Sequence, residues 1–157
     1  FGGFKYTHGT PFRRAIEEDL IDPKKYVILG LRGGLYDPDD LKWAIDQGIT
    51  IISTDKFYEI GMVETIKIIK DVLEDTSTYF TFDIDGIDPT FAPGTGTPEV
   101  GGINVREAQL IIRQLNSLNF IGADVVEVSP PFDVNNMTSL VGATIAFEIL
   151  CTMTKTN

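Results

Sequence analysis

Short apolar runs rich in β-branched residues alternate along the chain with longer segments whose apolar residues recur at helical spacing. The run from Tyr26 to Arg32 is typical of a buried strand, whereas Val63, Ile66 and Ile69 follow one face of a helix. Strands are predicted over residues 26–32, 49–53, 78–84 and 120–128. Helices are predicted over residues 10–20, 37–48, 62–74, 104–115 and 138–153.

Local signals support several helix ends. Proline follows a capping residue at Thr10-Pro11 and at Asp37-Pro38, which favours a helix start at each site. Asn104 and Glu107 have the spacing of a capping box, and Gly48 is a plausible helix-terminating glycine. Alternation of helices with nearly continuous apolar strands predicts one α/β domain with a parallel sheet covered by helices on both faces.

Composition narrows the class of partner. The formal net charge of −10 over 157 residues argues against nucleic acid as the main partner and favours cationic ligands. No apolar run reaches the roughly 18 residues of a membrane-spanning helix, so no membrane partner is predicted. Cys151 is the only cysteine, which excludes a disulfide or a zinc–thiolate site within one chain.

Acidic residues mark the end of the third predicted strand. Ligands of open parallel sheets bind beyond the carboxyl ends of the strands, and the run Phe82-Asp-Ile-Asp-Gly-Ile-Asp-Pro89 lies at such an end. In extended backbone, Asp83 and Asp85 would project to the same side about 7 Å apart. They could bind divalent cations, or one could act as a nucleophile or base. The alternative is that both are turn-forming, capping aspartates.

Three further features are candidates for chemistry. Glu127 interrupts a β-branched strand just before a proline turn, which predicts a cationic partner or metal; a solvated strand end is the alternative. His8, the only histidine, suits proton transfer but could equally be an ordinary surface residue. The loop over residues 92–102 lacks the P-loop and dinucleotide-binding patterns, and it forms either the wall of a site or a long structural turn.

Four segments together resemble the arginase/agmatinase (ureohydrolase) family. They are residues 8–15, 82–89, 91–102 and 122–130, and they occur in the order and spacing of that family. Thr-Pro-Phe-Arg-Arg after the histidine is closest to agmatinases and guanidino-acid hydrolases such as guanidinobutyrases. The resemblance covers essentially the whole chain. It implies a three-layer α/β/α sandwich with a mainly parallel sheet, of which residues 1–157 are the C-terminal part of a single domain.

The same resemblance implies an activity and roles for particular residues. The family hydrolyses guanidino compounds to urea and an amine, using two manganese ions whose bridging hydroxide attacks the guanidinium carbon. By position, Asp83 and Asp85 would be manganese ligands, and His8 would be the proton-shuttling histidine. Glu127 would bind the guanidinium through paired charge-assisted hydrogen bonds. Thr97 would lie beside the metal site and help to position the substrate or Glu127.

The chain departs from the family in its metal ligands. The family's Gly-Gly-Asp-His and Asp-Ala-His-x-Asp segments precede the histidine loop, and neither is present. We therefore expect the natural chain to extend upstream of Phe1, and the present chain alone to be inactive, with an unpaired apolar sheet edge that promotes aggregation. We also expect a cytoplasmic protein with a small guanidino substrate, assembled as a trimer or hexamer like its relatives.

Two other functions fit part of the pattern. The Asp83-Ile-Asp85-Gly86 run is similar to the strand-end motif of haloacid-dehalogenase-type phosphatases, although Ile87 stands where that family has threonine. Alternatively, the chain is a metal-poor homologue that acts as a regulatory or assembly subunit. Phosphate release would favour the first alternative, and a natural chain without the two upstream segments would favour the second.

Overall fold

The structure is a computed structural model that describes residues 3–35 and 37–154. Its strands are β1 (Val27–Leu31), β2 (Thr50–Ser53), β3 (Thr78–Asp83) and β4 (Phe120–Val126). Its α-helices are α1 (Pro11–Glu17), α2 (Lys42–Gln47), α3 (Thr54–Leu73), α4 (Val105–Gln114) and α5 (Met137–Met153). Short 3₁₀ turns cover Pro23–Lys25, Ile84–Gly86 and Pro130–Phe132. The predicted α/β class is confirmed.

The strands form two parallel pairs. β1 is hydrogen-bonded to β2, and β3 to β4. In the second pair Asp83, the last residue of β3, is aligned with Val126, the last residue of β4. The register therefore places the chain segments that leave both strands side by side, at the edge where ligands of parallel sheets bind.

A single apolar core joins the strands to α3, α4 and α5. Ile84, Ile87 and Ile145 are almost wholly removed from solvent, so the turn after β3 and the middle of α5 both lie inside the core. Because Ile84 and Ile87 are buried, packing of their side chains fixes the turn that carries the acidic run. Elsewhere in the core, Arg113 of α4 donates two hydrogen bonds to the buried Glu148 carboxylate of α5 and forms an ion pair with it. In the described ranges, no helix is long and apolar enough to cross a bilayer.

The predicted start of the second helix is wrong. α2 begins at Lys42, and residues 37–41 form turns instead. The Asp37 carboxylate accepts the N–H of Asp39 at 2.9 Å, and the Asp40 carboxylate accepts the N–H of Asp37 at 3.0 Å. Such local bonds compete with helical ones. The predicted end is confirmed, because Gly48 is left-handed at φ 88°.

The third helix begins earlier than its apolar spacing indicates. α3 starts at Thr54, where Ser53 Oγ caps the N–H of Lys56 at 3.1 Å. Gly61 at φ 78° kinks it, so the periodic segment from Met62 is only its second part. α1 ends at Glu17 rather than residue 20, and Asp19 just beyond it has a left-handed φ of 55°.

The two strand pairs do not join into one sheet. Among the described residues, the backbone hydrogen bonds of β1 and β3 reach β2 and β4 respectively, and do not link β1 to β3. Between them lies a largely apolar cleft of about 350 Å³, lined by residues that include Ile28, Leu29, Phe80 and Phe82. In the part of the chain that the structure describes, the edges of β1 and β3 that face this cleft have no strand partner and are largely apolar, as the sequence predicts.

The capping box of α4 gives a first test. Asn104 Oδ1 accepts the N–H of Glu107, and Glu107 Oε2 accepts the N–H of Asn104, both at 2.8 Å. We expect Asn104→Ala to lower the free energy of unfolding by about 1 kcal/mol, because the first turn of α4 loses a cap. Urea unfolding followed by circular dichroism measures the change. Gln114→Ala, at the exposed end of the same helix, is the matched control; an equal loss in both variants would contradict the assignment.

The unpaired edges give a second test. We expect the 157-residue chain to self-associate in a concentration-dependent way, because strand edges pair with other chains. Thr81→Lys places a charge on β3 beside the cleft and should reduce the mean mass measured by light scattering. Ser117→Lys adds the same charge away from the cleft and should leave the mass unchanged. Equal effects of both substitutions would show that net charge, and not the edge, controls association.

Candidate metal and substrate site

Asp83 ends β3 and Asp85 lies within the turn that follows it, so the two residues are not part of one extended strand. β3 ends at Asp83, and Ile84–Gly86 forms a 3₁₀ turn in which the N–H of Asp85 donates to Asp83 Oδ1 at 2.9 Å. The extended geometry predicted for this pair is therefore wrong, because the Asp83 carboxylate caps the turn that follows it. Capping uses one oxygen of Asp83 and leaves the other available to a cation.

Two threonine hydroxyls orient the Asp85 carboxylate. Thr95 Oγ1 donates to Oδ1 and Thr97 Oγ1 donates to Oδ2. Thr95 is buried, so its hydroxyl is fixed by packing. Each carboxylate oxygen has more than one lone-pair direction, so Asp85 can accept these bonds and still bind a cation. The loop over residues 92–102 thus acts on Asp85 directly.

The loop itself is anchored to the chain beyond β4. Thr95 bridges Val128 in antiparallel fashion, and the N–H of Ser129 donates to Gly94 O at 2.8 Å. A Cβ atom at Gly94 would lie 2.7 Å from the Cα atom of Asp133. Only glycine permits this approach. The threonines that orient Asp85 are therefore positioned by the exit of the neighbouring strand.

Asp88 closes the other end of the loop. Its Oδ2 accepts the N–H groups of Gly101 and Gly102 at 2.8 and 3.2 Å, and its Oδ1 accepts the N–H of Thr90 at 2.9 Å. Hydrogen bonds from the Thr90 hydroxyl and N–H, and from the two glycines, lower the pKa of Asp88 to about 2. Asp88 is therefore a structural carboxylate that remains ionised and holds the loop closed.

Glu127 follows β4 directly and has an unusual backbone. Its φ of 65° is left-handed, which is rare for a residue other than glycine and is found at functional sites. Its side chain is exposed, and it follows Val126, the residue aligned with Asp83. Its negative charge also raises the pKa of Asp83. Glu127 therefore belongs to the same acidic cluster as the two aspartates.

Crowding of carboxylates changes the protonation of Asp83. Loss of water around its carboxyl, together with repulsion from Asp85 and Glu127, raises the pKa of Asp83 to about 6, although the side chain as a whole is exposed. The N–H of Asp85 and the Arg32 guanidinium act in the opposite direction and are included in this value. A cation at this cluster would relieve the repulsion.

Manganese, which the family resemblance implies, fits the donor chemistry of this cluster but needs more ligands. Carboxylate oxygens are ligands that Mn²⁺ favours. Across residues 3–35 and 37–154, however, no group of three or more His, Cys, Asp or Glu side chains is arranged to hold an ion. Asp83 and Asp85 therefore offer two carboxylates suited to a manganese ion, which is fewer than a complete set of ligands.

The predicted site residues are only partly brought together. Asp83, Asp85 and Glu127 form one acidic cluster, and Thr97 contacts Asp85. His8 is exposed in the loop before α1. Its role in proton transfer stays a prediction.

Sequence reasoning missed two residues of the site. Thr95 donates to Asp85 as Thr97 does, and no residue pattern separates these two threonines before folding. Arg32 donates to the backbone carbonyl of Asp85 at 2.6 Å. A usable signal existed for Arg32, because it is a lone charge at the end of an apolar strand, the same signal that singled out Glu127.

Comparison with known proteins places this geometry in a family. Residues 1–152 match the Arginase family. The chain belongs to the arginase family. This membership confirms the resemblance found in the sequence and argues against the phosphatase alternative.

Relatives of the chain are named for different guanidino compounds. The chain is 54% identical to guanidinopropionase and 43% identical to guanidinobutyrase, both of Pseudomonas aeruginosa, over 96% of its residues. Those matches cover 48% and 47% of the relatives, so the chain spans about half the length of the curated relatives it matches. Similarity to these proteins does not by itself select one substrate.

Solved structures confirm the arginase-like fold. Proclavaminate amidino hydrolase from Streptomyces clavuligerus superimposes with a TM-score of 0.94 at 40% identity, over 100% of this chain and 52% of that one. Arginase from Bacillus subtilis superimposes with a TM-score of 0.74 at 31% identity, over 82% of this chain and 46% of that one. The described α/β structure is thus part of a larger arginase-like fold.

The depressed pKa of Asp88 predicts a pH-dependent contribution to stability. Its donors favour the ionised form, so the contribution is complete above its ordinary pKa of 3.8 and is lost as the pH falls toward about 2. We expect Asp88→Asn to lower the free energy of unfolding at neutral pH. The difference in free energy of unfolding between variant and parent, called the gap here, should narrow as the pH falls from 3.8 to about 2. Urea unfolding at a series of pH values measures the gap. Asp71→Asn, on the exposed face of α3, should show no such gap; a pH-independent loss in Asp88→Asn would contradict the ionic role.

Proposed function

We propose that the protein containing this chain hydrolyses a guanidino compound, agmatine or a guanidino acid, to urea and an amine with manganese. The observation that carries the proposal is the convergence of Asp83, Asp85 and Glu127 where two parallel strands end. A cluster of like charges at a ligand-binding edge suits metal ions together with a cationic guanidinium. The names of the relatives support the same substrate class.

Asp83 and Asp85 would hold the metal ions. When bound, manganese activates water and stabilises the charge that develops on the guanidinium carbon substituents. Asp85 is preset for this task, because Thr95 and Thr97 fix its orientation before any ion binds. Oriented ligands of this kind lose less conformational freedom when the ion binds.

Glu127 would bind the substrate, and His8 would move a proton. A carboxylate accepts two parallel N–H bonds from a guanidinium, which fixes both its position and its plane. Hydrolysis adds the oxygen of water to the guanidinium carbon and breaks the bond from that carbon to the substituted nitrogen. The leaving nitrogen must then gain a proton. Histidine titrates near neutral pH and is suited to deliver it.

The site is proposed to be completed by residues outside this sequence. Two aspartates cannot coordinate two manganese ions, and the chain spans about half the length of its relatives. We therefore propose that residues 1–157 form the C-terminal part of one ureohydrolase domain and are inactive alone. A homo-oligomeric assembly in the cytoplasm is part of the same proposal.

The alternative of a non-catalytic, metal-poor homologue rests on a specific observation. In the described part of the chain, metal-ligating side chains do not form a complete set. Urea production by the full-length protein with manganese, tested on a panel of guanidino compounds, separates the two functions. Release of urea from any member of the panel excludes the non-catalytic alternative, and failure on all members supports it.

Asp85→Asn tests the metal role directly. Asparagine keeps the shape and can still accept one of the two hydroxyl bonds through its oxygen, but it removes the negative charge that binds the ion. We expect the rate of urea release by the full-length enzyme to fall by at least about 100-fold, more than the loss of a supporting residue causes. Manganese content per subunit, measured by elemental analysis, should fall as well. Asp75→Asn, in the exposed turn after α3, is the control. An undiminished rate in Asp85→Asn would remove Asp85 from the metal site.

Glu127→Gln tests the substrate role. Glutamine has no negative charge and offers only one oxygen acceptor, so it cannot form both hydrogen bonds to the guanidinium. We expect kcat/KM to fall by about 10- to 100-fold, since a hydrogen bond to a charged group contributes roughly 1.5–3 kcal/mol. Manganese content should remain at the parental level, because Glu127 is proposed to contact substrate. Loss of metal without a change in KM would instead assign Glu127 to the metal centre.

A further inference from the structure

Arg32 connects three parts of the site through its guanidinium. It follows β1 directly, and its Nη2 donates to Asp85 O at 2.6 Å. Its Nε donates to Glu99 O and Val100 O at 3.1 and 3.2 Å, and its Nη1 donates to Gly30 O at 3.3 Å. One side chain therefore joins the end of β1, the turn that carries Asp85 and the far part of the 92–102 loop.

The choice of acceptors separates Arg32 from an ordinary ion pair. All three guanidinium nitrogens donate to neutral backbone carbonyls. Carbonyls at residues 85 and 99 are 14 positions apart in sequence, so the bonds fix tertiary geometry and not local structure. Because Asp85 O belongs to the same residue as the carboxylate, a shift of the guanidinium moves the backbone from which that carboxylate projects.

Packing leaves little freedom around the guanidinium. A Cβ atom at Gly102 would lie 2.9 Å from Arg32 Nη2 and 2.5 Å from the N atom of Asp88. Contacts this short exclude any larger residue at position 102 unless the loop or the guanidinium moves. The loop backbone therefore packs closely against the guanidinium on one side.

We propose that Arg32 is a positioning residue for the metal centre. Its hydrogen bonds fix the position of Asp85 and of the loop that carries Thr95 and Thr97. This inference rests on the proposed function, because it assumes that Asp85 binds manganese. Arg32 contacts neither substrate nor metal in this account. It acts through the backbone of Asp85 and through the loop, and its effect is on the geometry of the ligand.

Lysine at this position separates geometry from charge. Arg32 uses a planar fork whose nitrogens reach carbonyls in different directions, whereas a lysine ammonium concentrates its donors on one atom. Arg32→Lys therefore keeps the charge and much of the length but cannot join residues 85 and 99 in the same way. Arg32→Gln keeps a planar donor that reaches fewer of the acceptors. Arg106→Lys, at an exposed position of α4, is the matched control.

The experiment measures manganese binding by the metal-free, full-length protein, with free Mn²⁺ followed by electron paramagnetic resonance. We expect Arg32→Lys and Arg32→Gln to weaken manganese binding by about 10-fold or more, the usual size of an effect from residues that orient metal ligands. The kcat at a fixed manganese concentration should fall while KM changes little, and added manganese should restore part of the rate. Arg106→Lys should match the parent in every measurement.

Other outcomes identify which proposal fails. Parental manganese affinity in the folded fraction of both Arg32 variants would overturn the positioning role, even if their thermal midpoints were lowered. A parent that binds no manganese and releases no urea would instead overturn the proposed function. A parent that is active and two variants with weakened manganese binding would support both proposals.

Discussion

Repulsion among carboxylates at one edge of the parallel strands is the constraint on which the rest of the site depends. The register of β3 and β4 aligns Asp83 with Val126 and so places Glu127 near the turn that carries Asp85. Three acidic side chains gathered in this way disfavour the folded state unless donors or cations offset their charge. Much of the surrounding structure consists of such donors: the amide of Asp85, the hydroxyls of Thr95 and Thr97, and the Arg32 guanidinium nearby.

Hydrogen bonds to the carboxylates have two different consequences. The amide of Asp85 and the hydroxyls of Thr95 and Thr97 orient Asp83 and Asp85 without neutralising them. Asp88 uses the same kind of bond for a different purpose, since it spends both oxygens on backbone N–H groups and keeps the loop closed. A carboxylate proposed to bind metal and a structural one can therefore lie three residues apart. The two carboxylates differ in how many oxygen lone pairs remain available after the hydrogen bonds within the protein have formed.

Much of the fold can be predicted from periodicity, because burial of an apolar face leaves a regular signal. The strands follow from it, while the capping box at Asn104 and the terminating glycine at Gly48 follow from local capping signals. Helix ends that depend on competing local hydrogen bonds cannot be predicted in this way. Asp37 bonds to its own neighbours, so a proline rule that places a helix start there fails. Gly61 kinks α3 without ending it, and the residues before it lack the apolar spacing that reveals a helix.

Some residues of the candidate site could also be predicted from the sequence, and others could not. Asp83, Asp85 and Glu127 could be selected from sequence because charges at the ends of apolar strands need partners. Their separation could not, since the capping bond of Asp83 turns the chain immediately after β3. Thr95 could not be distinguished from its neighbours, because its role depends on an antiparallel bridge to Val128 across the loop. Arg32 is also a charge at the end of an apolar strand. A single cation near acidic residues, however, suggests charge neutralisation and gives no sign that it bonds to backbone carbonyls.

In the proposed function, most residues of the site would act on the part that guanidino substrates share. Glu127 would bind the guanidinium, and the aspartates, threonines and Arg32 would hold or position the manganese ions that activate the attacking water. Identity between this chain and a guanidinopropionase, a guanidinobutyrase or an agmatinase therefore measures common chemistry more than common substrates. Selection among these compounds requires contacts to the end of the molecule remote from the guanidinium. Because strong similarity extends across relatives with differently named substrates, those contacts are expected to depend mainly on segments other than the four that identify the family.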